Sequence, residues 1–160
     1  MQTEIREMNK TDFPTVQAIF AQSISKGIFT FRPEVPSAEE WDASHLPFSR
    51  FIITVDSVTA GWCALSPVSS RECYKGVAEV SIYIDEQYQG RGLGTALLTR
   101  LCTEAAAHGI WSLLAVVIAG NEASLHLHRK CGFREIGYRE RIAKDIFGNW
   151  RNTIMFEKRL

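Results

Sequence analysis

The chain has 160 residues, 46% of them apolar, with 18 Lys plus Arg against 18 Asp plus Glu. That length predicts one domain with a sizeable core, and the balanced charge excludes a nucleic-acid or membrane-surface partner held by bulk electrostatics. No apolar run approaches a membrane span and Met1 to Arg6 lack the apolar core of a signal peptide, so the expectation is a cytoplasmic protein.

Thr3 to Met8 has the length of a short edge strand. Thr11 reads as a helix N-cap with Pro14 tolerated in the first turn, and Phe13, Val16, Phe20 and Ile24 line one face of the helix that follows. Lys26 to Pro36 contains breakers and predicts a loop. It carries Phe29, Phe31 and Arg32, and its aromatics either pack over the core or line a substrate pocket. Ser37, with Glu40 three places later, makes a capping box that opens a second short helix to about His45, with Trp41 on its buried side. Arg50 to Asp56 and Ala60 to Leu65 alternate as the strands of an antiparallel hairpin around Asp56-Ser57-Val58-Thr59. Ser66 to Gly76 is a second polar loop, holding Ser69, Ser70, Arg71 and Tyr74.

Val77 to Ile84 is a β-branched and aromatic run without a breaker, and it predicts a central strand. Its polar exceptions, Glu79 and Ser81, share one face because side chains two apart on a strand do. Asp85 to Tyr88 leads to Gln89, Gly90, Arg91, Gly92, Leu93 and Gly94. Leu93, Leu97, Leu98, Leu101 and Ala105 then recur at helical spacing until His108 and Gly109. Strand, glycine loop and helix together can hold phosphate. Glycines let the backbone approach an anion, an uncapped first turn offers free N–H groups and a partial positive charge, and Arg91 adds a full one. A tight connection without a ligand is the other reading. Two other phosphate motifs fail on spacing. A P-loop needs Lys and Ser/Thr after its last glycine, where Thr95-Ala96 stand, and a dinucleotide fingerprint needs its third glycine one place later and an acidic residue where Ala119-Gly120-Asn121 end the next strand.

Trp111 to Ile118 predicts a buried strand, Ser124 to Cys131 a short helix stopped by Gly132, and Phe133 to Glu140 with Thr153 to Arg159 two closing strands. Between them Phe147-Gly148-Asn149-Trp150 is a turn that exposes an aromatic. Cys63, Cys73, Cys102 and Cys131 form no CxxC pair and are expected as free thiols. His126 and His128, two apart on a helix, face different ways, so no metal site is expected with Cys131.

The run Gln89, Gly92, Gly94 resembles motif A of the GNAT family, the Gcn5-related N-acetyltransferases: Gln or Arg, two residues, Gly, one residue, Gly or Ala. Asn121, Ser124 and Leu127-His128-Arg129-Lys130-Cys131-Gly132-Phe133 are similar to that family's second cofactor segment. The resemblance implies an α/β GNAT fold: a mixed, mostly antiparallel sheet of about six to seven strands with helices on both faces. It implies an acyltransferase using acetyl-CoA as acetyl donor, with no metal. Gln89, Gly90, Arg91, Gly92, Leu93, Gly94 and Thr95 would wrap the pyrophosphate, with Asn121, Ser124 and Lys130 across from them. Backbone groups of Ile82, Tyr83 and Ile84 would hold the pantetheine and thioester. A closer likeness, to the phosphinothricin and methionine sulfoximine acetyltransferases, covers almost the whole chain. It rests on Thr30-Phe31-Arg32 with Pro36 and Trp41, Arg71 with Tyr74, Glu79 to Tyr83, Ser124 to His128, and Gly148-Asn149-Trp150. It implies a small amino-acid-like amine as substrate and a homodimer.

Acetylating an amine requires its neutral form, and an α-amino group titrates near ~8, a lysine near ~10.4, so a base is needed. Glu79 is the candidate, since burial in an apolar run raises a carboxyl pKa toward the useful range; a solvated or salt-bridged strand glutamate is the other reading. Ser81 can orient substrate or a water. Many relatives place tyrosine where His128 stands. An imidazolium there can hydrogen-bond the leaving thiolate, and a purely structural histidine is the other reading. For the acceptor carboxylate Arg71 is the first choice, because a planar guanidinium grips it best. Ser69 and Ser70 lie beside it, Tyr74 and Phe31 are the walls, and Val80 and Ser81 complete the set; surface solvation is the alternative for Arg71. Two other functions compete: a protein N-terminal or lysine acetyltransferase, which needs an open groove, and a non-catalytic acyl-coenzyme A sensor.

Overall fold

A computed structural model describes residues 1–160. Its frame is one sheet of strands β1 (Thr3–Glu7), β2 (Phe51–Val55), β3 (Val58–Pro67), β4 (Val77–Ile84), β5 (Ser112–Ile118), β6 (Arg134–Lys144) and β7 (Trp150–Arg159). The spatial order is β1-β2-β3-β4-β5-β7-β6. Only β4 and β5 pair in parallel; every other neighbouring pair is antiparallel. The expected mixed, mostly antiparallel sheet is therefore present, with β1 on one edge and β6 on the other.

Helices α1 (Phe13–Lys26), α2 (Ala38–Ser44), α3 (Leu93–Ala107) and α4 (Glu122–Lys130) cover the two faces. Strand alternation decides which face each side chain serves. Ala78, Val80, Leu113, Ala115, Val117 and Phe156 pack with Leu93, Leu97, Leu98 and Leu101 of α3 and Leu125 of α4. On the other face Ile52, Trp62 and Ala64 meet Val16, Ile19 and Phe20 of α1 and Trp41 of α2. Glu79, Ser81 and Tyr83, odd-numbered on β4, belong to this second face; the Tyr83 ring stands edge-on to Phe20, centroids 5.1 Å apart.

Several local expectations are corrected. Asn9, not Thr11, caps the first turn: its side chain accepts the Thr11 N–H at 2.9 Å, a single 3-10 turn covers Lys10–Asp12, and α1 starts at Phe13. An asparagine can hold a backbone N–H two residues on, which pre-empts the threonine. Ser37 does accept the Glu40 N–H, at 3.2 Å, as a cap should. The β2–β3 turn is only Asp56-Ser57, both at positive φ (47° and 70°), as a two-residue hairpin loop requires, so Val58 and Thr59 already lie in β3. Asn121 caps α4 by accepting the Ser124 N–H, so that helix begins at Glu122 rather than Ser124.

The closing hairpin is longer than expected. β6 runs past Glu140 to Lys144 and Trp150 is the first residue of β7, not a turn residue. Asp145 is the reason. Its Oδ1 accepts the N–H groups of Phe147 and Asn149, both at 2.9 Å, and its Oδ2 accepts Arg151 Nε at 2.8 Å. Burial alone would raise this carboxyl's pKa, but those bonds hold it below the usual range. The tip they build leans on the end of α1: a Cβ on Gly27 would lie 2.9 Å from the Phe147 ring. The hairpin thus props the start of the loop that carries Phe29, Phe31 and Arg32.

Candidate active site

β4 and β5 stay together for only three residue pairs, Val77↔Ser112, Ala78↔Leu113 and Glu79↔Leu114. Beyond Glu79 each strand follows its outer neighbour, β4 pairing with β3 up to Ile84↔Gly61 and β5 with β7 up to Ile118↔Thr153. A wedge opens between them. Asp85 N–H donates to Ala60 O on the β3 side, while Gly76 O accepts from Trp111 on the β5 side, both at 2.8 Å. Counting along the strand by twos, the peptide groups of Ile82 and Ile84 turn into the wedge and those of Ser81 and Tyr83 turn to β3. Of the expected backbone set, Ile82 and Ile84 are thus placed to donate, whereas the Tyr83 peptide is directed to the neighbouring strand.

The glycine loop closes the mouth of the wedge, a cavity of about 510 Å³. Gly90 and Gly92 have φ of 75° and 77°, and a Cβ on either would meet nothing within 4 Å. No side chain caps α3; its first bond is Ala96 N–H to Gly92 O at 3.2 Å, leaving the N–H groups of Leu93, Gly94 and Thr95 as free donors. A concave backbone with free donors at a helix start is what a phosphate requires. Gln89, Gly90, Gly92, Leu93, Gly94 and Thr95 all line this cavity, with Asn121, Ser124, His128 and Lys130 across from them. Gln89 Nε2 donates to Ile84 O at 3.4 Å, tying loop to strand. Arg91 is not on the wall. Its guanidinium lies over the Tyr88 ring at 5.2 Å and donates to Gln87 O at 3.1 Å, so the full charge sits outside.

His128 is 3% exposed, stacked on Phe156. Its Nδ1 lies 2.7 Å from Ser124 O. A carbonyl only accepts, so Nδ1 carries a proton, while Nε2 has no partner in the chain. Burial lowers the ring's pKa, only partly offset by that bond. That burial works against the imidazolium a donor to the leaving sulfur would need.

On the other face of the sheet a second cavity, about 360 Å³, is roofed by Phe29, Phe31 and Arg32 and walled by Trp41, His45, Trp62 and Tyr83. Glu79 and Ser81 point into it. The two cavities share Phe29, Val80, Ser81, Tyr83, Val116 and Ile118, so they meet where the strands part. Glu79 is the last paired residue before the gap. Partly buried, it makes no hydrogen bond or ion pair in the chain. Burial pushes its carboxyl pKa up, partly countered by the field of Arg139. The Tyr83 phenol, pushed up to about 12 by burial, stays protonated.

Ser69, Ser70, Arg71 and Tyr74 line neither cavity. Their loop folds on itself: Ser69 Oγ accepts the Arg71 N–H at 3.1 Å, and Arg71 lies over the Tyr74 ring at 5.7 Å, both residues exposed. Arg32, His45, Trp62 and Ser66 hold the places beside Glu79 that the other loop was expected to fill. Only the aromatics flanking Arg32 signalled this in the sequence.

A family model described as the acetyltransferase (GNAT) family matches residues 4–133. An L-methionine sulfoximine/L-methionine sulfone acetyltransferase of Pseudomonas paraeruginosa is 26% identical over 166 aligned positions, covering 100% of this chain and 96% of that protein. The phosphinothricin N-acetyltransferase of Streptomyces viridochromogenes is 29% identical, covering 97% and 86%. Among solved structures, a phosphinothricin acetyltransferase from Sinorhizobium meliloti in complex with AcCoA superimposes with a TM-score of 0.91 at 24% identity, covering 100% and 89%, and shares the fold.

Proposed function

The chain belongs to the GNAT family of acetyltransferases, and on that premise we propose that it transfers the acetyl group of acetyl-CoA to the α-amine of a small amino-acid-like acceptor. The observation that carries this is the meeting of two cavities at Val80 and Ser81, next to Glu79: one lined by free backbone donors, the other small, roofed and holding an unpaired carboxylate. Acetyl-CoA supplies an activated acetyl thioester. The free donors of Leu93, Gly94 and Thr95 suit its diphosphate, and the peptide groups of Ile82 and Ile84 suit its pantetheine and thioester carbonyl. Glu79, directly or through one water, takes a proton from the acceptor ammonium so that the nitrogen lone pair can attack. The Ile82 or Ile84 N–H then stabilises the oxyanion that forms; as it collapses the C–S bond breaks, and the sulfur leaves as thiol by taking the extra proton that the attacking nitrogen sheds on becoming an amide. His128 Nε2, which has no partner in the chain, can receive that thiol's S–H.

Likeness along the whole chain to the sulfoximine and phosphinothricin enzymes supports a free amino-acid analogue rather than a peptide. The roof of Phe29, Phe31 and Arg32 supports it too, since an extended chain needs an open groove. Methionine sulfoximine, phosphinothricin and a panel of peptides, assayed side by side with acetyl-CoA, are expected to show turnover on the first two; turnover on peptides alone would reject the proposal. A homodimer is part of the same reading. β6 supports it: an edge strand with Tyr138, Ile142 and, on β7 beside it, Trp150 exposed by 60%, 47% and 51%. Light scattering is expected to give about twice the 18.0 kDa chain mass, and a monomer at micromolar concentration would refute it.

A further inference from the structure

Acetylating an ammonium with a thioester yields an amide, a thiol and one free proton. With Glu79 as the base, that proton ends each turnover on its carboxylate, inside a roofed cavity, and the base cannot act again until the proton is gone. The residues lining this cavity with ionisable side chains are Arg32, His45, Glu79 and Tyr83. A guanidinium does not deprotonate in proteins, and the Tyr83 phenol, pushed up to about 12, holds its proton too. Only His45 is left to carry one, because His128 lines the other cavity and not this one. We propose that His45 is the proton outlet of the acceptor cavity: its Nε2 receives the proton that Glu79 takes from the ammonium and hands it to solvent. The inference rests on the acetyl-transfer reading above and adds a second proton carrier to it.

The ring leaves one nitrogen free for the task. Its Nδ1 lies 2.7 Å from Trp41 O, and since a carbonyl only accepts, that nitrogen carries a proton. Nε2 makes no hydrogen bond in the chain and is not enclosed. Half-buried, the ring stacks on Trp41 with centroids 4.1 Å apart and stands edge-on to Trp62 at 6.3 Å, so it borders both the cavity and solvent. Burial, partly offset by the bond to Trp41 and joined by the fields of Arg50 and Arg32, holds its pKa below the ordinary 6.5, so at neutral pH Nε2 can take a proton and pass it on to water. The backbone fixes its place. Arg50 Nη2 donates to His45 O at 3.0 Å, and the Leu46 N–H donates to Leu65 O at 2.7 Å. The next residue on β3, Ser66, stands opposite Glu79 in the β3–β4 register and lines the same cavity. His45, Ser66 and Glu79 therefore follow one another across the end of β3, and the Ser66 hydroxyl or a water can bridge the outer two. The proton leaves the Glu79 carboxyl, Nε2 gains it to give an imidazolium, and its loss to water restores both groups.

The test is steady-state kinetics of the full chain on methionine sulfoximine, with H45A, H45Q and E79Q, in buffers with and without imidazole. Without imidazole, H45A and H45Q are expected to lose at least about tenfold in kcat, short of the loss of about 10²–10⁴-fold in E79Q, while KM for the acceptor and for acetyl-CoA stays within about threefold. Imidazole, which fits the room that H45A vacates, is expected to return that variant to within about threefold of wild type and to leave wild type and E79Q unchanged, a response that lost packing would not give. Wild-type kcat in the His45 variants, a loss in H45A that imidazole does not restore, or a wild type that itself accelerates with imidazole overturns the outlet while Glu79 keeps its role. A wild-type protein that acetylates no amine overturns the acetyl-transfer reading and this inference with it.

Discussion

Replacing Glu79 with glutamine is expected to lower kcat by about 10²–10⁴-fold, the range for loss of a positioned general base, with the Kd for acetyl-CoA unchanged. Geometry separates the two readouts, because Glu79 lies in the acceptor cavity and not on the wall of the wedge. The pH profile carries a second signature. Burial places the Glu79 pKa above its ordinary 4.5, so the acid limb of kcat/KM should lie above 4.5 and vanish in the variant. Linkage supplies a third. A carboxyl with a raised folded-state pKa ionises more readily in the unfolded chain, so it lowers stability progressively as pH rises from 4.5 through the raised value. E79Q should therefore melt higher than wild type at pH 7, with the advantage gone below pH 4.5. A variant with wild-type kcat would remove Glu79 from the chemistry; wild-type protein that binds acetyl-CoA and acetylates nothing would establish the sensor reading instead.

Gly92→Val is expected to weaken acetyl-CoA binding by at least about a hundredfold, read by calorimetry. The reason is conformational rather than steric within the protein, since a Cβ there would touch nothing within 4 Å. At φ 77° a β-branched residue carries about 1–3 kcal/mol of backbone strain. Relaxing that strain swings the free N–H groups at the head of α3 away from the ligand, each charge-assisted bond contributing about 1.5–3 kcal/mol. Gly94→Ala is the control. Gly94 is helical, and its added methyl would meet Leu127 Cδ2 at an ordinary 3.4 Å, so a change below about tenfold is expected. Unchanged affinity in G92V would dissociate the loop from the cofactor.

What could be read from the chain was what local spacing dictates. The alternation from Val77 to Ile84 placed Glu79 and Ser81 on one face, and the glycines with the leucine repeat behind them marked the loop and α3. Features decided at long range were not legible. The gap beside Ile82 exists because β4 follows β3 and β5 follows β7, and no residue in β4 announces it. Arg71 was the first choice for the acceptor carboxylate because a planar guanidinium grips one best, yet its loop folds on itself and lines neither cavity. The burial of His128 and the bond of its Nδ1 to the Ser124 carbonyl depend on packing against Phe156 and on the turn of α4, which spacing cannot tell. Trp150 was placed in a turn because Gly148-Asn149 precedes it; the turn was instead built around the buried carboxylate of Asp145.

The parting of β4 from β5 also has a mechanical meaning. Strands β1 to β4 and strands β5 to β7 form two slabs joined along a seam of three residue pairs. A molecule laid along that seam and bonded to both margins acts as mortar, so resistance to unfolding rises with its concentration, by about 2.7 kcal/mol at a hundred times its Kd. Without it the seam is where the sheet is thinnest, and the first place the protein should breathe.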